Sequence, residues 1–264
     1  MGKSRIMYDM TLKEVREGLK EMKTVIVPVG VVEQHGYHLP LSVDILNAVE
    51  MASRVSDICG CFVAPPLNYC FSGGTLSGTI NLSPQVFSLV IMDICRSLIS
   101  QGFKNVVILL GHGGTENMKA AYDALENFQR LSPEIEDITL SLIPFWEFSP
   151  TFMQALPEGD FHAGKYETSL MLYWKLELVR MDQAELDNPE LVARMRQDQD
   201  AYQHKHKNFD SKYVVPRITQ VPEMEVGVMG NFEGANAALG KQIVEEAATA
   251  VAELVGSLEA RLHS

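Results

Sequence analysis

Asn105-Val106-Val107-Ile108-Leu109-Leu110-Gly111-His112-Gly113-Gly114 decides the fold. A short, β-branched apolar run ended by glycine reads as a buried strand, and the sequence after it turns at once into a helix over about 116–131. Working outward, Ser83-Pro84-Gln85 opens a helix that runs to about Gln101, with Ser83 as N-cap and Pro84 at the first helical position. Residues 138–144 give another strand, and Thr24-Val25-Ile26-Val27-Pro28-Val29-Gly30 a further buried one. Residues 61–65 form a short strand stopped by Pro65-Pro66. Helical spacing of Leu12, Val15, Leu19 and Met22 follows a Thr11/Glu14 capping box, and residues 45–55 and 241–262 are helical too. Residues 162–178 read as a loop entering a helix. Strands that alternate with helices of this length predict βαβ units. The expected fold is therefore α/β, three-layer, with a central, mostly parallel sheet flanked by helices. Residues 187–212 are polar throughout and form a solvated helix, an excursion or an oligomer contact, but no domain boundary. The expectation is a single domain over 1–264.

The chain has 264 residues, 46% of them hydrophobic and 21% charged, with a net charge of −12. Length and composition suit one globular α/β unit. The acidic surface repels phosphate backbones, so no nucleic acid is expected as a partner. No apolar run approaches the roughly 20 residues that span a bilayer, so no membrane is expected either. Met1-Gly2-Lys3-Ser4-Arg5-Ile6 and the polar 11–23 stretch lack the apolar core of a signal peptide, and the expected location is cytoplasmic. Cys59, Cys61, Cys70 and Cys95 are read as buried free thiols of a reducing compartment, since Cys59-Gly60-Cys61 has no second thiolate pair to complete a metal site.

Ligands of parallel sheets bind at the carboxyl ends of strands, and three clusters of chemically active side chains fall at such ends or in loops. In Gly30-Val31-Val32-Glu33-Gln34-His35-Gly36-Tyr37-His38, alternation turns Glu33 and His35 to one side, with Asp44 on the following turn. Carboxylate oxygens with imidazole nitrogens and no thiolate suit hard or borderline divalent metals. A lone Glu-x-His is usually a polar loop; location after a buried strand carries the metal reading. His38 is a further candidate, facing substrate or supporting the ligands from behind. In Gly111-His112-Gly113-Gly114, His112 sits at the strand-to-helix corner between glycines that let the backbone approach something bulky. Glu116 is either a ligand or an ordinary acid in the first helical turn. In His162-Ala163-Gly164-Lys165-Tyr166-Glu167-Thr168-Ser169, Glu167 opens an apolar helix, where capping competes with ligation, and His162 competes with a solvent-facing role. Two His, two Glu and an Asp suffice for two divalent ions with Asp44 bridging.

Taken together, the segments Gly30 to Gly36, Asp44, Gly78-Thr79-Ile80, Gly111 to Gly114, His162 to Ser169 and Gly227-Val228-Met229-Gly230-Asn231 resemble the creatininase (creatinine amidohydrolase) family from about residue 11 to 260. The resemblance implies a homo-oligomer, usually a hexamer, and two divalent metal ions per chain, zinc first with manganese or iron as alternatives. It implies Glu33, His35, Asp44, His112 and Glu167 as metal ligands and His162 as the catalytic proton carrier. His38, Gly113, Gly114 and Trp146 are expected on the substrate side, Trp146 matching a substrate-covering tryptophan. The chain departs from creatinine amidohydrolase at Gly114 and Phe161, each a glutamate there, at Glu158, where a second tryptophan falls, and at Lys165, acidic in many relatives.

The expected activity is metal-dependent hydrolysis of a non-peptide C–N bond, in a cyclic amide or formamide of a small molecule, through metal-bound hydroxide. One alternative is a metallopeptidase-like member that cleaves a short peptide. Another is a non-catalytic oligomeric binding protein.

Overall fold

The computed structural model describes residues 4–262. Residues 1–3 and 263–264, and with them the start of the N-terminal reading and the ends of the 1–264 domain assignment, lie outside the described residues. In chain order the elements are β1 (Arg5–Ile6), α1 (Leu12–Gly18), β2 (Thr24–Val29), α2 (Val43–Cys59), β3 (Phe62–Val63), α3 (Pro84–Ser100), β4 (Asn105–Leu110), α4 (Thr115–Leu131) and β5 (Thr139–Pro144). Then follow α5 (Ala155–Glu158), α6 (Lys165–Trp174), α7 (Pro189–Met195), β6 (Gln203–His206), β7 (Arg217–Gln220) and α8 (Ala237–Arg261).

The five-stranded sheet has the order β1-β3-β2-β4-β5, and every pairing is parallel. β2 and β4 are buried at all positions, as strands covered on both faces must be. Their alternation splits the core in two. Ile26, Val63, Val107, Leu109 and Ile143 point to one face and pack on α2, α6 and α8. Val25, Val27, Val29, Val106, Ile108 and Leu110 point to the other and pack on α3 and α4. This is the three-layer arrangement expected from the sequence.

Local chemistry sets the helix bounds. Thr11 and Glu14 form the reciprocal capping box of α1, and Ser83 caps α3 with Pro84 at its start. α2 stops at Gly60, whose φ of 75° ends the helix in the left-handed region. It begins two residues before the expected Ile45, which brings Asp44 into its first turn. α6 ends at Trp174 rather than near 178, with Lys175 outside helical geometry.

One strand was not expected, and the polar stretch takes one of the forms expected for it. β1 pairs with β3 at the sheet edge and was not expected. The polar stretch 187–212 is an excursion: α7, one 3-10 turn at Gln199–Tyr202, and β6, which pairs antiparallel with β7.

Register places the site. Val29 lies opposite Leu110, and Leu110 opposite Pro144. The carboxyl ends of β2, β4 and β5 are therefore level, and residues 30–35, 111–114 and 145–147 leave the sheet side by side.

Candidate metal centre

Two glycines admit Asp44 to the rim of the sheet. A Cβ on Gly30 would stand 2.5 Å from the Ile45 nitrogen, and one on Gly111 would overlap the Asp44 carbonyl oxygen. With neither Cβ present, the first turn of α2 rests directly on the ends of β2 and β4. Asp44 then lies between two imidazoles. Its Oδ1 is 3.4 Å from His35 Nε2, and its Oδ2 is 3.3 Å from His112 Nδ1. Glu33 Oε2 is 3.1 Å from His112 Nδ1, and Glu167 Oε2 is 3.7 Å from His35 Nε2. Two triads thus share Asp44: Glu33, Asp44 and His112, and His35, Asp44 and Glu167, with the ligand atoms of each within 4.8 Å of one another. Glu33, His35 and His162 make a third such group that overlaps both.

Three of the donors, His35, Glu33 and Glu167, are also held by hydrogen bonds. The His35 Nδ1–H donates to the Glu33 backbone carbonyl at 3.1 Å, which leaves the Nε2 lone pair facing Asp44. Ser72 Oγ donates to Glu33 Oε1 and accepts from the Gly74 N–H at 3.0 Å. The Ala163 N–H donates to Glu167 Oε2 at 2.6 Å from a residue with φ 56°.

Burial and opposed charges set the electrostatics of the cluster. Burial alone would raise the Glu33 carboxyl, but His112, His162 and His35 outweigh it and hold the group far below its usual range. Asp44 is lowered in the same way, His35 and His112 overcoming its burial. Burial would lower His35, yet Asp44, Glu167 and Glu33 push it up to about 9. His112 is raised for the same reason, by Glu33 and Asp44.

Glu33 Oε2, His35 Nε2 and Asp44 Oδ2 are buried without a hydrogen bond. Unpaired buried polar atoms are costly, and these three, each within a group of atoms that could ligate, fit cations. Oxygen and nitrogen donors without sulfur suit zinc, manganese or iron. The four cysteines are free and belong to none of these groups among the described residues. Glu116 is exposed in the first turn of α4 and joins no group either.

His162 stands beside the triads rather than within the two that share Asp44. Its ring centroid is 4.2 Å from that of His35. Its Nε2–H donates to the Gln34 carbonyl at 2.7 Å, so the neutral ring carries its lone pair on Nδ1, 3.9 Å from Glu167 Oε2.

A cavity of about 410 Å³ opens over this cluster. Glu33, His112, His162 and Glu167 reach its surface, as do Gly113, Gly114 and Trp146. His35 and Asp44 do not. His38 corrects an expectation: it lies outside the cavity lining, its Nε2 bonded to Thr168 Oγ1 at 2.9 Å and its ring against Phe232. It braces the helix that carries Glu167 instead of facing a substrate.

Sequence reading passed over Ser72, Gln34 and the outer wall of Met195, Tyr202, Met224 and Met229. Ser72 lies in the Gly/Ser-rich stretch 72–79, a visible signal. Met195, in the excursion, and Met224, after β7, carried none, because those stretches have no periodicity, while Met229 was visible only as part of the Gly227-to-Asn231 motif. At the positions of departure, a Cβ on Gly114 would come within 2.6 Å of His112 Nε2, Phe161 lines the cavity, and Glu158 pairs with Lys165.

A family model described as creatininase, creatinine amidohydrolase, matches residues 8–255. The chain belongs to the creatininase family. Creatinine amidohydrolase of Pseudomonas putida is 30% identical over 72% of this chain and 78% of its own length. The mycofactocin precursor peptide peptidase of Mycolicibacterium smegmatis is 29% identical over 88% of this chain and 83% of its own. A crystal structure of creatinine amidohydrolase, at 26% identity and a TM-score of 0.77, covers 97% of this chain and 98% of that one. A manganese creatininase and a mutant of Zn-Zn type, each 25% identical and covering 96% of this chain and 98% of theirs, superimpose with TM-scores of 0.75 and 0.73. This creatininase-family hydrolase thus has structural relatives with manganese and zinc, and its own donor set fits divalent metal. Among the described residues no helix is long and apolar enough to cross a membrane.

Proposed function

We propose that this creatininase-family protein is a binuclear, metal-dependent amidohydrolase that hydrolyses a non-peptide C–N bond, in a cyclic amide or formamide of a small molecule. The observation that carries this is the sharing of Asp44, one oxygen toward His35 and the other toward His112. Glu33, Asp44 and His112 would hold one ion, and His35, Asp44 and Glu167 the other. When bound, the two ions supply Lewis-acid polarisation of the carbonyl and a water of lowered pKa. Zinc is the first choice, with manganese and iron as alternatives.

The chain's own groups do the rest. Glu33 and Asp44 keep their negative charge in a buried site because the imidazoles face them. His162 holds its Nε2 proton on the Gln34 carbonyl, which turns Nδ1 toward the cluster as the atom that takes up a proton and passes it to the departing nitrogen. Gly113 lets Trp146 come close: a Cβ there would meet the indole at 3.3 Å. The indole and the 113–114 backbone form a wall against which the amide is oriented.

Sequence similarity to the mycofactocin precursor peptide peptidase of Mycolicibacterium smegmatis, over 88% of this chain against 72% for creatinine amidohydrolase of Pseudomonas putida, supports a second reading: cleavage of a short peptide. A panel of creatinine, simple formamides and short peptides separates the two. The expected result is amine release from a non-peptide amide, abolished by chelator and restored by zinc or manganese. Release from peptides alone would favour the second reading, and activity indifferent to chelator would contradict both.

A cytoplasmic homohexamer completes the proposal. It is supported by the family resemblance and by four free cysteines, which suit a reducing compartment.

A further inference from the structure

The wall beside His162 is built of soft apolar side chains. Phe161 precedes it in the chain, and Met229 pairs with both: the Phe161 N–H donates to the Met229 carbonyl at 2.8 Å and the Met229 N–H to the His162 carbonyl at 2.9 Å. Phe161, Tyr202 and Met229 pack on a buried cluster of Leu191, Met195 and Met224. Met195, Met224 and Met229 line the cavity together with Met118 and Met153, five of the chain's 13 methionines. They come from α4, α7, a 3-10 turn at Phe152–Gln154 and the stretch between β7 and α8, so no single periodic stretch accounts for them. Unbranched, polarisable thioethers shape themselves to flat aromatic faces and gain from sulfur–ring contact, and Trp146 adds an aromatic face of its own.

The charge of the lining points the same way. No Lys or Arg is among the described residues that line the cavity. A carboxylate or phosphate on the substrate would meet no guanidinium or ammonium there, while Glu147 on the same lining repels it. The volume of about 410 Å³ falls in the range of roughly 300–1,000 Å³ that encloses drug-sized ligands; a single small ring would leave much of it to water.

We infer that the amide cleaved here carries an uncharged aromatic group on its leaving nitrogen, seated against Phe161, Met195, Met224 and Met229. This rests on the amidohydrolase reading above and on His162 serving the nitrogen side. In the reaction, water oxygen bonds to the acyl carbon, the C–N bond breaks, and the nitrogen leaves with one added proton. An aryl formamide gives formate and an arylamine.

The test compares formanilide, 4-formamidobenzoate and creatinine as substrates of the metal-loaded protein. Formanilide is expected to exceed both others in kcat/KM by at least about tenfold, the scale on which pockets discriminate by burial. Met229→Lys, which places a cation in the wall, is expected to reverse the order of formanilide and 4-formamidobenzoate. Fluorescence titration of the unaltered protein with acetanilide and 4-acetamidobenzoate keeps the claim testable where that variant does not fold; the uncharged ligand is expected to bind at least about tenfold more tightly. Equal or better use of the carboxylate or of creatinine, or equal binding, overturns the inference and leaves the hydrolase intact. Loss of all hydrolysis across the panel overturns the hydrolase reading itself.

Discussion

His162 is fixed by its neighbours in a way that separates proton transfer from metal binding. Its Nε2–H rests on the Gln34 carbonyl at 2.7 Å, and it belongs to neither of the two triads that share Asp44. His162→Gln is therefore expected to keep its metal while kcat falls by roughly 10²–10⁴, the usual worth of a placed acid–base group; elemental analysis beside steady-state kinetics measures both. The imidazoles of the triads titrate with a definite sign. In metal-free protein His35 is raised to about 9. The stability it contributes is full below the ordinary histidine value of about 6.5 and is lost as pH rises through about 9. The melting temperature of metal-free protein should fall across that window. That of loaded protein should hold, since the ion replaces those protons. Calorimetry with and without chelator reads the difference, and a flat metal-free profile would contradict it. At this scale the sequence was informative because ligand chemistry is local: Glu33, His35, Asp44, His112 and Glu167 were legible as carboxylates and imidazoles at element ends. His38 was not, because its role depends on Thr168, which only folding brings to it.

Elements meet at glycines. α2 lies on the ends of β2 and β4 only because Gly30 and Gly111 lack side chains, and that contact delivers Asp44. Gly111→Ala would drive a methyl into the Asp44 carbonyl. It is expected to cost about 1–3 kcal/mol, the range for overpacking a filled core, and to weaken metal binding along with stability. Denaturant unfolding and metal titration of the variant give the two numbers; unchanged affinity would show that the close approach does not position Asp44. α2, α3, α4 and β2 to β5 were legible because each combines burial with a cap, a proline or a stopping glycine. β1 was not, since two residues carry no periodicity. Nor was the β6–β7 hairpin, whose strands are joined by a long loop without a short turn signal and whose faces are mostly exposed.

Across the molecule, the three layers follow from alternation in the central strands, and the level ends of β2 and β4 bring two of the clusters to one rim, where the start of α6 adds the third. What the sequence did not disclose is the cavity above that rim, because its outer wall comes from α7 and the segments around β7, polar stretches whose few apolar side chains acquire meaning only by enclosing space. The charge of −12 is spread over such surfaces, while the buried acids of the site answer to imidazoles and to the cations they fit.

Elemental analysis of protein purified without chelator, beside its Asp44→Ala variant, bears most directly on the shared carboxylate. The expected result is about two divalent ions per chain in the unaltered protein, the stoichiometry of a two-ion site, with both lost or greatly weakened in the variant. Metal-free unaltered protein that takes up no zinc or manganese, or a variant that keeps its full complement, would contradict it.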